Sequence, residues 1–188
     1  NIEHKEAWAR RIVINKSLDW LKKNKPIYVD LNPQLYSWVI ENLVKNAIEN
    51  TPDEGRVEVT VKNKKAGVEL LVRDAGIGIV EEHRKRIFEG FFPTQETNKY
   101  SSKKPYDFNA GGKGADLLRL KIFSERYNFK LDMSSEKCRH IPRSSDECPG
   151  QISLCDFCQD TEDCNTCGGT SLKAVFPAGN SKIIQDTF

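Results

Sequence analysis

The sequence predicts a two-layer α/β (α+β) sandwich in which one mixed, largely antiparallel sheet carries helices on one face. Three observations lead there. Residues 33–50 place Tyr36, Ile40, Leu43, Val44 and Ala47 at helical spacing on a single apolar stripe. Val57, Val59 and Val61 then alternate, and after a polar stretch from Lys62 to Gly67 the apolar run "VELLVRD" returns, the pattern of an antiparallel hairpin. Finally, the periodicities follow one another as helix, strand, helix, hairpin, helix, loop, helix, strand, strand.

In chain order, Ile2 to Lys25 is amphipathic and rich in Lys and Arg, which predicts a helix that Pro26 stops. "PIYVDL" follows as a short strand. Asn32 and Pro33 have the types of an N-cap and a first helical residue, so the long helix opens there. Thr51-Pro52-Asp53-Glu54-Gly55 is a turn, and a short charged helix is expected near Glu81 to Glu89. Residues 91–112, rich in Thr, Ser, Asn, Lys and Gly, suggest a long lid-like loop. "GADLLRLKIFSERY" restores a helix through Leu117, Leu118 and Ile122, "FKLDMS" is a strand, and "TSLKAVF" is the last one.

Composition bounds the function. With 188 residues and a net charge of +2, the chain suits one soluble domain and has no basic excess that would advertise nucleic acid. It has neither an uninterrupted apolar run of the ~20 residues a membrane span needs nor a signal-peptide pattern, so no membrane contact is expected. Asn1 at the start and a single methionine, Met133, suggest a piece of a longer protein. All six cysteines fall between Cys138 and Cys167, a local device and not a disulfide framework spread over a secreted fold.

Two stretches invite chemistry. Asn42, Asn46 and Asn50 stand four apart beside the apolar stripe, and such a row is costly to bury unless something bonds it. Asp74-Ala75-Gly76-Ile77-Gly78 leaves a strand with one carboxylate between small residues. A dinucleotide fingerprint fails there, because Glu81 stands where the third glycine should be, and a Walker loop fails because Lys113 precedes Gly114. A plain turn stays open as the alternative.

Taken together in order, "ENLVKNAIENT", "RDAGIGI", "RIFEGFF" and "GGKGADLL" resemble the ATP-binding domain of the GHKL superfamily, and within it the catalytic domain of sensor histidine kinases. The resemblance spans about Asp30 to Pro177 and is broken by the cysteine segment. It implies a Bergerat-type fold and a set of roles. Asn46 would hold Mg²⁺ against the triphosphate, with Asn42 and Asn50 beside it, a carbonyl oxygen suiting a hard cation. Asp74 would accept from the adenine amino group, with Gly76, Gly78 and Ile79 passing close to the base. Phe88 and Phe92 resemble the lid anchor. Gly112, Lys113 and Gly114 resemble the loop whose amides meet phosphate at a helix start, and Thr170 matches a position near adenine.

The resemblance also implies a domain plan: residues 1–25 as a linker helix from an upstream dimerisation hairpin, 26–177 as the ATP-binding domain, and 178–188 as a tail. The implied partners are a histidine-containing dimerisation domain of the same parent, itself a homodimer, and a response-regulator receiver; the implied location is the cytoplasm. None of His4, His83 or His140 sits in a pattern suited to accept the phosphoryl group. The departures have consequences. Asn42 occupies the place where ATPases of the superfamily carry a general base, and Glu41 points about 100° away around the helix, so transfer to a side chain is expected over hydrolysis. Asp116 brings a negative charge toward the triphosphate, and Gln95 loses a positive one that Lys113, Lys103 or Lys104 could replace. Two rivals remain: a degenerate nucleotide-binding or metal-sensing module, and a GHKL-type ATPase.

The cysteine insert, about residues 134–168, holds Cys155-x-x-Cys158 and Cys164-x-x-Cys167, two pairs with metal-ligand spacing, together with Cys138 and Cys148. A zinc site using four of these thiolates leads, the quartet being both pairs or one pair with Cys138 or Cys148. An iron–sulfur cluster follows, and disulfides are the remaining alternative.

Overall fold

The computed structural model describes residues 12–14, 29, 31–65, 67–89, 115–141 and 146–178. Five strands form one sheet: β1 (Ile12–Ile14), β2 (Val57–Lys64), β3 (Gly67–Arg73), β4 (Lys130–Glu136) and β5 (Gly169–Phe176). Their spatial order is β1-β2-β3-β5-β4, with β1 parallel to β2 and every other pair antiparallel. The sheet is thus mixed and largely antiparallel, as expected.

Helix α1 (Pro33–Asn50) begins where its signals lie. Asn32 Oδ1 accepts from Gln34 N at 2.9 Å and Leu35 N at 3.3 Å, and Pro33 spends no hydrogen bond in the first turn. It ends at Thr51, whose hydroxyl donates back to Ala47 O at 2.7 Å just before Pro52. Val39, Leu43, Ala47 and Ile48 are buried, with Tyr36, Ile40 and Val44 flanking them. This face packs on the inward residues Val57, Leu70, Val72, Leu172, Ala174 and Phe176, while Leu120 of α2 (Asp116–Arg126) joins the same core. Phe176 lies between Tyr36 and Phe129, with both ring centroids at 5.1 Å. Lys62, Arg73, Lys130 and Asp132 point to the other, exposed face.

Several expectations need correction. Residues 12–14 form β1 inside the stretch expected to be helical; Ile12, Val13 and Ile14 are three β-branched residues in a row, which favours a strand where an edge is there to pair with. The charged helix near 81–89 is instead two 3₁₀ turns, Glu81–His83 and Arg86–Phe88. Neither has a side-chain cap, and only Ile87 is buried, so nothing holds a full helix. The strand expected at "PIYVDL" shows one antiparallel bridge, Val29 to Ala178. β4 runs to Glu136, past the expected start of the insert, and within the insert a 3₁₀ turn (Ile152–Leu154) and the short helix α3 (Thr161–Thr166) appear. The lid and most of the N-terminal helix lie outside the described residues, as do His4, Phe92, Gln95, Lys103, Lys104, Gly112, Lys113 and Gly114. Among the described residues no helix is long and apolar enough to cross a membrane.

Candidate functional site

Asp74 follows the last residue of β3 and is 2% exposed. Its Oδ1 accepts from two backbone amides, Gly76 N and Thr170 N, each at 2.9 Å. Oδ2 has no hydrogen-bond partner among the described residues. Burial pushes the carboxyl up to about 7, against the opposing pull of those amides and of Arg73. Thr170 Oγ1 lies 2.9 Å from Ser135 Oγ, which donates to Gly169 O at 3.0 Å and accepts from Ile79 N at 2.8 Å. One network therefore fixes Asp74, Ile79 and Thr170. Ser135 was missed from sequence, although a small hydroxyl at the inward position of an alternating Leu131-Met133-Ser135 series was the available signal.

The two glycines are required by the protein's own backbone. A Cβ at Gly76 would collide with the Asn50 carbonyl, and at Gly78, with φ +67°, it would collide with the Glu136 carbonyl. The first approach also seats the Asp74 turn against the end of α1. There Asn42 is buried and donates to Trp38 O at 2.7 Å, and Asn50 donates to Asn46 O at 2.7 Å. The half-buried Asn46 amide has no side-chain partner among the described residues. Glu41 is exposed and paired with Lys45 at 2.9 Å, away from this wall. Asp116 opens α2 with Arg119 Nη1 3.9 Å away, an i,i+3 neighbour of opposite charge. Phe88 packs on the core. The donor set fits what the resemblance implies: an open carboxylate oxygen suits a purine amino group, and an open amide oxygen suits a hard cation.

The carboxyl of Asp74 yields a stability prediction. Its folded value lies above the ordinary 3.8, so between 3.8 and about 7 the folded state holds a proton that the unfolded chain has released. Stability therefore falls as pH rises through that window. Asp74→Asn, which cannot titrate, is expected to be more stable than the parent by roughly 4 kcal/mol at pH 8 and to lose that advantage at pH 4, as read by urea unfolding.

The insert leaves β4 and returns to β5 at residues that face each other, Glu136 and Gly169. All six cysteines, with His140, line one cavity of about 20 Å³ whose remaining wall is Pro52, Ala75–Ile77 and Ile141. None is in a disulfide. Cys138 Sγ and Cys167 Sγ stand 2.9 Å apart, and Cys155 Sγ and Cys158 Sγ 3.4 Å apart. Burial and then the Cys155 contact push Cys158 up to about 12. Cys167, held down by its bond with Cys138, is raised more by Cys164 and burial, to about 11. His140 Nε2 is buried and lies 3.0 Å from Asp163 Oδ2 without hydrogen-bond geometry. Asp163 is already engaged by Gln159 N at 3.1 Å and by Arg139 at 2.6 Å, which hold it down near 2. Sequence reasoning expected four ligands among six cysteines; the fold converges all six and adds His140, which the Cys-x-His spacing of Cys138 and His140 could have revealed.

The fold is a two-layer sandwich with a buried carboxylate at the end of a central strand, its turn seated against the C-terminal end of the packed helix. The chain belongs to the HATPase_c family, the histidine kinase-, DNA gyrase B- and HSP90-like ATPases, whose model matches residues 32–150. It is 33% identical over 94 residues to the phosphate regulon sensor protein PhoR of Pseudomonas aeruginosa, covering 50% of this chain and 19% of that protein. It is 31% identical over 102 residues to the sensor histidine kinase RppB of Synechocystis, covering 54% and 20%. The chain thus spans about a fifth of the length of these curated relatives. Among solved structures, the mycobacterial sensor histidine kinase MprB shares the fold, with a TM-score of 0.51 at 21% identity over 80% of this chain and 76% of that one.

Proposed function

We propose that the chain is the ATP·Mg²⁺-binding catalytic domain of a sensor histidine kinase, passing the γ-phosphoryl group to a histidine on a dimerisation domain outside this chain. The observation that carries it is the Asp74 carboxylate, buried, fixed through Oδ1 by two amides and open at Oδ2. In this reading Oδ2 accepts from the adenine amino group, Thr170 and Ser135 hold the carboxylate in place, and Ile79 borders the base. Asn46, with Asn42 and Asn50 along the same helix, faces the triphosphate; Mg²⁺, when bound, neutralises phosphate charge. Phe88, Gly112, Lys113 and Gly114 complete the phosphate side. Asn42 accepts no proton and Glu41 is exposed and paired, so neither of these two residues activates water. Transfer to a partner histidine follows, in a homodimeric cytoplasmic parent that then serves a response-regulator receiver. We further assign the cysteine cavity to a soft metal, zinc before an iron–sulfur cluster.

A degenerate nucleotide-binding module is the second reading, favoured by Asp116 at the mouth of α2. ATP titration with and without Mg²⁺, followed by phosphotransfer in a parent chain that carries the acceptor hairpin, separates the two. Asn46→Ala should remove most of the gain in affinity that Mg²⁺ confers, about thirtyfold, the equivalent of about 2 kcal/mol for one contact to a charged group. An unchanged Mg²⁺ dependence sinks the role of Asn46, and ATP binding without transfer favours the second reading.

A further inference from the structure

We infer that the six thiols and His140 form a centre for a thiophilic divalent metal of the zinc class, built into the adenine wall so that its occupancy sets nucleotide affinity. The second half rests on the nucleotide reading of Asp74.

The donor chemistry is concentrated in one place. Cys138 contacts Cys167 and Cys155 contacts Cys158, Cys164 lines the same cavity, and Cys148 packs against the first pair. The 2.9 Å separation of Cys138 and Cys167 exceeds the ~2.05 Å of a disulfide bond. A ring nitrogen of His140, Cys158 Sγ and an Asp163 oxygen all lie within 4.8 Å of one another, the spread of donors around a single ion. Since Asp163 is engaged by Arg139 and Gln159, the imidazole nitrogen is the group left buried without a satisfied bond. Seven donors suffice for one tetrahedral ion, or for two that share a bridging thiolate, and thiolate with imidazole selects zinc over magnesium or calcium.

The insert also needs such a centre. Its own buried cluster is Cys138, Ile141 and Cys167, with Ile77 and Cys148 packed against it, whereas Leu154 and Phe157 remain exposed. So little apolar burial does not order a segment of this length unaided. Metal binding supplies folding free energy in such cases.

Both walls of the nucleotide site are tied to the insert by backbone bonds. On the Asp74 side, Cys138 N donates to Ile77 O at 2.8 Å, one residue beyond Gly76. Past the end of α1, Asp53 N donates to Gly150 O at 2.7 Å and Ile152 N to Asp53 O at 3.1 Å. Arg56 N donates to Asn165 Oδ1 at 3.0 Å, and Ser153 N to Glu54 Oε2 at 2.8 Å. An insert that loses its metal releases residues 51–56 and 75–78 together, and by linkage nucleotide and metal each tighten the other.

The test uses the full 188-residue chain purified without air and with a reductant. Elemental analysis should find one or two zinc ions per chain, and Co²⁺ in their place should give thiolate charge-transfer absorption that weakens in Cys158→Ser and His140→Ala. Removing the metal with a chelator, then restoring Mg²⁺, should strip exchange protection from the amides of Asp53, Cys138 and Ile152 and weaken ATP binding at least tenfold. Zinc added back to the same sample should restore both, which rules out an unfolded preparation. Absence of stoichiometric metal, iron with equimolar sulfide, disulfides in its place, or unchanged exchange and affinity after stripping would each overturn the proposal. Zinc-loaded chain that fails to bind ATP would sink the nucleotide reading and the coupling with it, and leave the centre standing on its metal count.

Discussion

Asp74→Asn will weaken ATP binding at least a hundredfold and leave the domain folded. With Oδ1 fixed by Gly76 N and Thr170 N, the asparagine carbonyl must take that position, because only an acceptor satisfies both donors. The amide NH₂ then stands where Oδ2 was and presents a donor to the purine amino group. One acceptor is lost and two donors oppose each other in a buried site, a penalty of about 3 kcal/mol, which is more than a hundredfold in affinity. Because the neutral residue removes a buried charge at no change of shape, unfolding at pH 8 separates loss of the site from loss of the fold. Calorimetry that finds parental affinity in this variant would remove the basis for the nucleotide reading.

The second large effect is on stability. Gly78→Ala will lower the free energy of unfolding by more than about 3 kcal/mol, a class of loss reserved for a few named mechanisms. Two of them coincide here. The residue has φ +67°, where alanine is strained, and the new methyl would drive into the Glu136 carbonyl. That carbonyl cannot swing aside cheaply. It belongs to the last residue of β4, pinned by pairing with Gly169, and Cys138, two residues on, donates to Ile77 O. Thermal melting should drop by several degrees at least. A variant that melts with the parent would show that the 76–78 turn is free to move.

Local chemistry made most of the frame legible. α1 could be placed because its cap, its proline and its stripe all agree, and the hairpin of β2 and β3 because alternation changes to a turn at polar residues. Asp74 stood out through the small residues beside it, although the reason for Gly76 and Gly78 is a backbone approach that no single stretch contains. β1 was hidden, because Ile12–Ile14 sit in a charged amphipathic run and become a strand only by pairing with Val57–Val59. Ser135 and His140 are separated from Thr170 and Cys158 along the chain and meet them through strand register and the return of the insert. Such meetings are tertiary and leave only faint local marks.

The register of β3, β5 and β4 also decides what chain can be added to this fold, and where. Arg73 pairs with Ser171, and Glu136 with Gly169, so the tip joining β4 to β5 lies at the same end of the sheet as the exit of β3. Any extra polypeptide spliced there starts and finishes at facing residues, its loop closure already met by the ladder. It also emerges beside Asp74 without cutting a strand. A chain inserted at that hairpin tip therefore reaches the Asp74 turn directly, as the Cys138 N to Ile77 O bond shows.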